Sequence, residues 1–218
     1  FKVIDAREHL SVQLHPDEAS GGDVKEEAWV ALADGGAVAI ATPGEDLGPD
    51  LPEPGAWLAR LGHVPLLGGG ASGASAPTMV HVPPGTVHAI LAGALIFDVQ
   101  NSADVTWRLD DHGRVDAEGN ARALHVAEAT GVLERGTPIP APLLDDGRRL
   151  VSGRFTIDLH APGSVRAPTS QVVFFTQAGR VEHGESGLFD VPAGRTVWIP
   201  PTTTVLESDG WMIAAAAL

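Results

Sequence analysis

The sequence predicts an all-β fold with a few short helices, and three observations carry that reading. Apolar segments of strand length recur along all 218 residues. They are punctuated by turn-formers, with 26 Gly and 17 Pro spread through the chain. One strand-entry unit also occurs twice: VPPGTVHAI at 82–90 returns as VPAGRTVWI at 191–199. Each copy runs Val-Pro-x-Gly, then two residues, then a strand, which is an internal repeat. A single barrel unit carried twice accounts for it, with His88 of the first copy answered by Val197 in the second.

The elements follow in order. FKVIDAREHLSVQL (1–14) gives two short apolar segments around a polar turn, and HPDEASGGD is a loop broken by Pro16, Gly21 and Gly22. KEEAWVALADGGAVAIATPG reads as two strands joined at Asp34-Gly35-Gly36, a hairpin signal. PGAWLARLG (54–62) reads as a short helix with Pro near its start and Gly at its end. GGGASGASAP (68–77) is of low complexity and is expected to be a mobile loop. TMVHVPPGTVHAI, ALIFDVQ and DVTWRL supply three strands, and 121–130 a further short helix. The Pro-rich GTPIPAP (136–142) is the natural boundary, placing one domain at 1–140 and a second at 141–218. Short strands return in the second as RFTIDLH, QVVFFT, TVWIP and WMIAAAAL.

Charge and composition exclude several classes. The net charge of −14 disfavours nucleic acid, which rewards basic stripes, and no apolar run has bilayer-spanning length. Without cysteine there is neither a disulfide nor a thiolate metal site, so a metal would be held by His, carboxylate or amide oxygen. This composition suits a cytoplasmic setting. The chain opens at Phe1 rather than Met, which leaves room for an upstream segment.

The chemistry concentrates near the start. Gln13 and His15 are two residues apart, so on a strand they point to one face. Glu27 opens the next strand, and His88 follows the Pro83-x-Gly85 turn that aims a strand-initial imidazole. Together they offer an amide oxygen, two imidazoles and one carboxylate, a set that a divalent ion such as Zn²⁺ accepts with residual positive charge. Singly, each has a plainer reading: Gln13 as a polar strand end, His15 as a loop histidine, Glu27 as a solvated charge beside Glu26, His88 as a core histidine. Lys2 and Lys25, the chain's two lysines, bracket this stretch, in a chain that also has twelve arginines. A lysine can be tuned by burial toward proton transfer and an arginine cannot, although both lysines could also be surface charges.

LSVQLHPDE, KEEAW, PPGTVHAI and GALIFDVQNSADVTWRLDD stand in the order of the signature series of type I mannose-6-phosphate isomerases, which the chain resembles over most of 1–130 and more weakly beyond. The resemblance implies two cupin barrels (double-stranded β-helix, or jelly-roll), the second without metal ligands. It implies one Zn²⁺ per chain on Gln13, His15, Glu27 and His88, and active-site cations at Lys2, Lys25 and Arg108, with Asp104 a weaker candidate. Lys25, Lys2 and Arg108 would form the catalytic set, with Lys2 or Lys25 moving the proton and a metal-bound water as a third candidate for that role; Lys2 and Arg108 would also bind substrate, although Arg108 could instead form a salt bridge with Asp110 or Asp111. The implied activity interconverts mannose 6-phosphate and fructose 6-phosphate through an enediol. The implied partner is a small-molecule sugar phosphate, with no nucleic acid and no membrane, on a monomer or homodimer. Departures from the family are Trp107 and Asp110 where Tyr is frequent, and the absence of the family's sequence ahead of Phe1. They keep a degenerate, non-catalytic sugar-phosphate binder as the alternative. A metal-dependent oxygenase is a third reading, against which the Gln ligand and the lysine pair argue.

Overall fold

The computed structural model of the chain describes residues 1–47, 51–53, 55–70, 72–167, 171–184, 187–200 and 204–218. Its elements are almost all strands. The first set is β1 (Lys2–Asp5), β2 (Val12–Leu14), β3 (Glu27–Ala31), β4 (Ala37–Ile40), β5 (Gly62–Pro65), β6 (Met79–Val82), β7 (His88–Ile90), β8 (Leu95–Gln100) and β9 (Trp107–Asp110). The second is β10 (Leu143–Leu144), β11 (Arg149–Val151), β12 (Phe155–His160), β13 (Gly163–Ala167), β14 (Gln171–Phe175), β15 (Gly179–His183), β16 (Gly187–Val191), β17 (Arg195–Ile199), β18 (Thr204–Ser208) and β19 (Met212–Ala217). Two helices, α1 (Trp57–Arg60) and α2 (Val126–Leu133), and a 3₁₀ turn at Glu18–Ser20 complete the described elements. The all-β expectation is borne out.

The chain divides into two compact units. One comprises 1–29, 35–66 and 80–140, and the other 30–34, 67–79 and 141–218. Each has the two-sheet construction of a jelly roll. The sheets β1-β8-β3-β6 and β5-β4-β7-β2-β9 build the first barrel, and β10-β11-β12-β19-β14-β17 with β13-β18-β15-β16 the second. The core of the first unit gathers Leu14 and Leu109 from strands, Val87 from the turn before β7, Trp57 from α1 and Val132 from α2, all nearly inaccessible to water. The second is centred on Val173, Phe175, Leu206 and Met212.

The Asp34-Gly35-Gly36 turn does not make a hairpin. β3 and β4 lie in different sheets, and β4 pairs with β5 and β7. The turn carries the chain from one sheet of the barrel to the other. Gly36, at φ 70°, does so against the backbone of Gly93 and Ala94, where a β-carbon would clash. The first helix is a single turn, and Gly62 opens β5 instead of ending it; Pro54 lies outside the described residues. The second helix begins later than expected, at Val126, where His125 brackets the Arg108 backbone. In the low-complexity loop, Gly70 O accepts from the Trp211 indole and Gly73 O from Arg148, so that segment is tied to its own unit; residue 71 lies outside the described residues.

The sequence repeat is a structural one. Gly85 and Gly194 both have positive φ, 85° and 70°. Each donates its N–H at 2.8 Å to the carbonyl of a residue at the end of a neighbouring strand, His15 and Phe175 respectively. Gln13 is registered with His88, and Val173 with Val197. The positions of Gln13, His15 and His88 are thus occupied in the second unit by Val173, Phe175 and Val197, which lie in or against its apolar core.

Candidate metal centre and substrate pocket

Three strands of the first barrel converge on one buried group. His15 from the end of β2, Glu27 from β3 and His88 from β7 each present a ligand atom within 4.8 Å of the others. All three are buried. Glu27 Oε2 stands 3.4 Å from His15 Nε2 and 3.9 Å from His88 Nε2. Backbone carbonyls fix both rings: His15 Nδ1 lies 2.9 Å from Val105 O, and His88 Nδ1 2.9 Å from Thr86 O. A proton held on each Nδ1 to make those bonds leaves Nε2 bare and turned inward, the outer hydrogen bond that prepares an imidazole to ligate a metal. His15 Nε2 is buried without a hydrogen-bond partner. An orphaned acceptor of this kind is costly unless something occupies the space it faces. The donor set therefore fits a divalent cation.

Gln13 joins the group through its carboxamide. Its Nε2 lies 3.2 Å from His88 Nε2, and its Oε1 accepts from Ser11 Oγ at 2.9 Å. A half-turn of the amide would exchange the two atoms, aim the oxygen at the ligand cluster and let the NH₂ donate to Ser11, since a hydroxyl both gives and accepts. Trp29, two residues beyond Glu27 on β3, packs edge-on against the His88 ring with centroids 5.3 Å apart.

Electrostatics suit a cation. Burial pushes the Glu27 carboxyl up, but the close approach of His15, with His88 and Lys25, outweighs it and holds Glu27 ionised below the usual carboxylate range. Burial and the neighbouring His15 bring the His88 imidazole down to about 3, so it is neutral at pH 7 and its lone pair is available.

The predicted cations divide between interior and edge. Lys25 is buried, with Nζ 2.5 Å from Glu27 Oε1. Arg108 is registered with Gln13 across β2 and β9. It lines a pocket of about 170 Å³ with Ser11, Gln13, His88, Arg114 and Arg122. Its backbone is clamped by His125, which receives the Arg108 N–H on Nδ1 at 3.1 Å and donates its own N–H to Arg108 O at 2.7 Å. Asp111, a candidate salt-bridge partner for Arg108, instead binds Arg114 at 2.6 Å and Arg122. Asp110 accepts backbone N–H groups from Gly55 and His112. Lys2 is exposed and donates to Gln100 Oε1 at 2.7 Å rather than to a member of the ligand cluster. Asp104 is exposed.

Sequence reasoning missed Asp98, Arg114 and Arg122. Asp98 is buried on β8, and its Oδ1 has no hydrogen-bond partner. Burial, reinforced by the negative charge of Glu27, raises its carboxyl to about 7 despite the opposing lysines. A signal was present: Asp98 is a lone charge inside the apolar run ALIFDV. The two arginines reach the pocket because the chain folds back after β9, which no local pattern announces. The second unit has larger clefts, of about 460 and 340 Å³. Among the described residues, however, the metal-competent group lies in the first barrel.

No protein-family model matches the chain. It is 37% identical over 150 residues to the mannose-6-phosphate isomerase of Streptococcus mutans, covering 64% of this chain and 45% of that protein. It is 35% identical over 144 residues to mannose-6-phosphate isomerase ManA of Bacillus subtilis, covering 61% and 43%. The chain thus spans less than half the length of these curated relatives. Among solved structures it superposes on a mannose 6-phosphate isomerase from Bacillus subtilis with a TM-score of 0.77 at 18% identity, over 98% of this chain and 73% of that one. A mannose 6-phosphate isomerase bound with zinc and yttrium matches at a TM-score of 0.66 and 13% identity, over 99% and 78%. The resemblance read from the motifs is borne out by the curated sequences, and the cupin fold by the structures. No helix among the described residues is long and apolar enough to cross a membrane.

Proposed function

From its kinship with the mannose-6-phosphate isomerases, we propose that the chain carries the metal site and proton-transfer groups of a zinc-dependent aldose–ketose isomerase interconverting mannose 6-phosphate and fructose 6-phosphate. The observation that carries the reading is the buried His15–Glu27–His88 group with Lys25 on its free carboxylate oxygen.

Gln13, His15, Glu27 and His88 would hold one Zn²⁺. Such an ion supplies Lewis-acid stabilisation of the charge that builds on substrate oxygen as the enediol forms. The protein's own groups do the rest. Isomerisation moves a proton between C2 and C1, so a base must take it and an acid return it. Lys25, buried beside the ligand cluster, would act in its neutral amine form, taking the proton at Nζ to become the ammonium and giving it back to the adjacent carbon. Asp98, with a carboxyl near neutrality, is a second group able to hold a proton there. The Arg108, Arg114 and Arg122 pocket suits the phosphate, which planar guanidinium forks bind in pairs of hydrogen bonds. Lys2, tethered at the edge through Gln100, assists at the substrate's outer end. The domain at 1–140 would be catalytic, and that at 141–218, with apolar side chains at the ligand positions, would not bind metal.

The test is the full-length protein loaded with Zn²⁺, assayed for fructose 6-phosphate formation from mannose 6-phosphate, with His88→Ala as control. Turnover that disappears in the variant, together with its bound zinc, supports the reading. Activity untouched by the change removes the metal from the mechanism. Binding of mannose 6-phosphate without turnover by the zinc-loaded wild type would mark a sugar-phosphate binder instead.

A further inference from the structure

Adjacent amide residues where β8 ends hold one lysine by its ammonium and the other by the backbone on either side of it. Gln100 Oε1 accepts from Lys2 Nζ at 2.7 Å. Asn101 brackets Lys25 from both sides. Its Oδ1 accepts the Glu26 N–H at 2.8 Å, and its Nδ2 donates to the Val24 carbonyl at 2.8 Å. Its own N–H donates to the Glu26 carbonyl at 3.3 Å.

These are the bonds a sheet neighbour would make, yet β8 stops at Gln100 and β3 starts at Glu27. The Asn101 carboxamide, which carries a donor and an acceptor like a peptide group, adds a rung beyond the ladder of β8 and β3. The segment before β3 is thereby fixed in the alternation that β3 continues. Lys25 and Glu27, two residues apart, share the face carrying the ligand cluster. Glu26 falls on the other face, where its carboxylate meets His81 Nε2 at 2.8 Å. A slip of one residue would put Glu26 where Lys25 stands, because strand side chains alternate.

We propose that Asn101 is a positioning residue for Lys25: it sets the register of residues 24–26 and so aims the ammonium into the site. Gln100 holds Lys2 directly, by accepting from its ammonium. The kinetic consequence rests on the proposed isomerase activity, but the placement itself does not.

Because Lys2 and Lys25 are the only lysines in these 218 residues, their acylation by sulfo-N-hydroxysuccinimide acetate can be followed separately by peptide mass spectrometry. Asn101→Ala should raise the acylation rate of Lys25 roughly tenfold, the scale of losing about one net hydrogen bond, and leave Lys2 unchanged. Gln100→Ala should raise Lys2 and leave Lys25 alone. Asn101→Asp keeps the acceptor for the Glu26 N–H, so its effect on Lys25 should be smaller than that of Ala; it also serves if the Ala variant fails to fold. In the isomerase assay Asn101→Asp should lower kcat roughly tenfold, with KM and bound zinc unchanged, and should add nothing in a Lys25→Met background. Unchanged Lys25 acylation in the folded variants, equal rises at both lysines, or a full additional loss in the Lys25→Met background would overturn the proposal. A wild type without isomerase activity would sink the functional reading instead, and the acylation pattern would still decide the role of Asn101.

Discussion

Lys25 and Glu27 form a buried ion pair with Nζ 2.5 Å from Oε1, two residues apart on one strand face, with only 5% of either side chain exposed. The second oxygen of the same carboxylate looks at two imidazoles, 3.4 Å from His15 and 3.9 Å from His88. One glutamate therefore joins the candidate base to the candidate metal ligands. Lys25 needs no separate anion to offset its burial, because the ligand provides it.

That sharing makes Lys25→Met informative. The thioether keeps most of the side chain's length and packing but removes the proton carrier. Turnover should drop about 10²–10⁴-fold, the usual contribution of a positioned acid–base group. Zinc content should stay at the wild-type level, since the ligands are intact. Paired kinetics and elemental analysis check both halves; loss of zinc in parallel with activity would reassign Lys25 to holding Glu27.

Asp98 gives a pH signature in the metal-free protein. Its folded-state carboxyl is raised from 3.8 to about 7, chiefly by burial. Across that interval the folded chain keeps a proton that the unfolded chain releases. Asp98 is thus least unfavourable to folding below the ordinary carboxylate range, and stability falls as pH rises toward about 7. Asp98→Asn stays neutral throughout, so its stability relative to wild type should climb over that window. Urea melts of both proteins at pH 5 and pH 7.5 measure this; a difference that does not change with pH contradicts the assignment.

Much of this candidate site is legible in the sequence. Gln13 and His15 are placed by strand alternation, His88 by the Pro-x-Gly turn, and Glu27 by its position at a strand start. Each is a local rule acting within a few residues. Asp98 was readable too, as a charge in an apolar run, but only by asking what such a residue would face. The pocket arginines were beyond reach, since Arg114 and Arg122 meet through Asp111 after a reversal that depends on tertiary contacts. The supposed hairpin at Asp34-Gly35-Gly36 failed for a related reason. Its turn chemistry is real, but in a jelly roll the same turn carries the chain between sheets, and the choice is made by Gly93 and Ala94, nearly sixty residues away.

Asp111→Ala separates substrate binding from chemistry. Burial pushes the Asp111 carboxyl up, but the hydrogen bonds of Arg122 and Arg114 overcome it and keep the group ionised. Removing it frees two guanidiniums that are only partly exposed. If these arginines cradle the phosphate, KM for mannose 6-phosphate should rise roughly tenfold with kcat nearly unchanged, the mark of lost binding common to ground and transition states. Steady-state kinetics decide it, and a fall in kcat alone would move the arginines out of the phosphate subsite.

The two repeat glycines allow a controlled comparison of structure with function. An alanine at Gly85 or Gly194 is forced into the left-handed region, at a cost of about 1–2 kcal/mol. At Gly194 the added β-carbon meets nothing within 4 Å, so strain is the whole effect. At Gly85 it comes within 3.2 Å of Val132 Cγ1, and the turn it distorts contains Thr86, whose carbonyl orients the His88 ring. Both variants should therefore lose stability in the metal-free state, Gly85→Ala somewhat more because of the added contact with Val132. Only Gly85→Ala should also weaken zinc binding, because only there does the turn lead to a ligand. Zinc titrations of the two variants, each normalised to its own thermal midpoint, test the difference; equal affinities would mean that the turn does not aim His88.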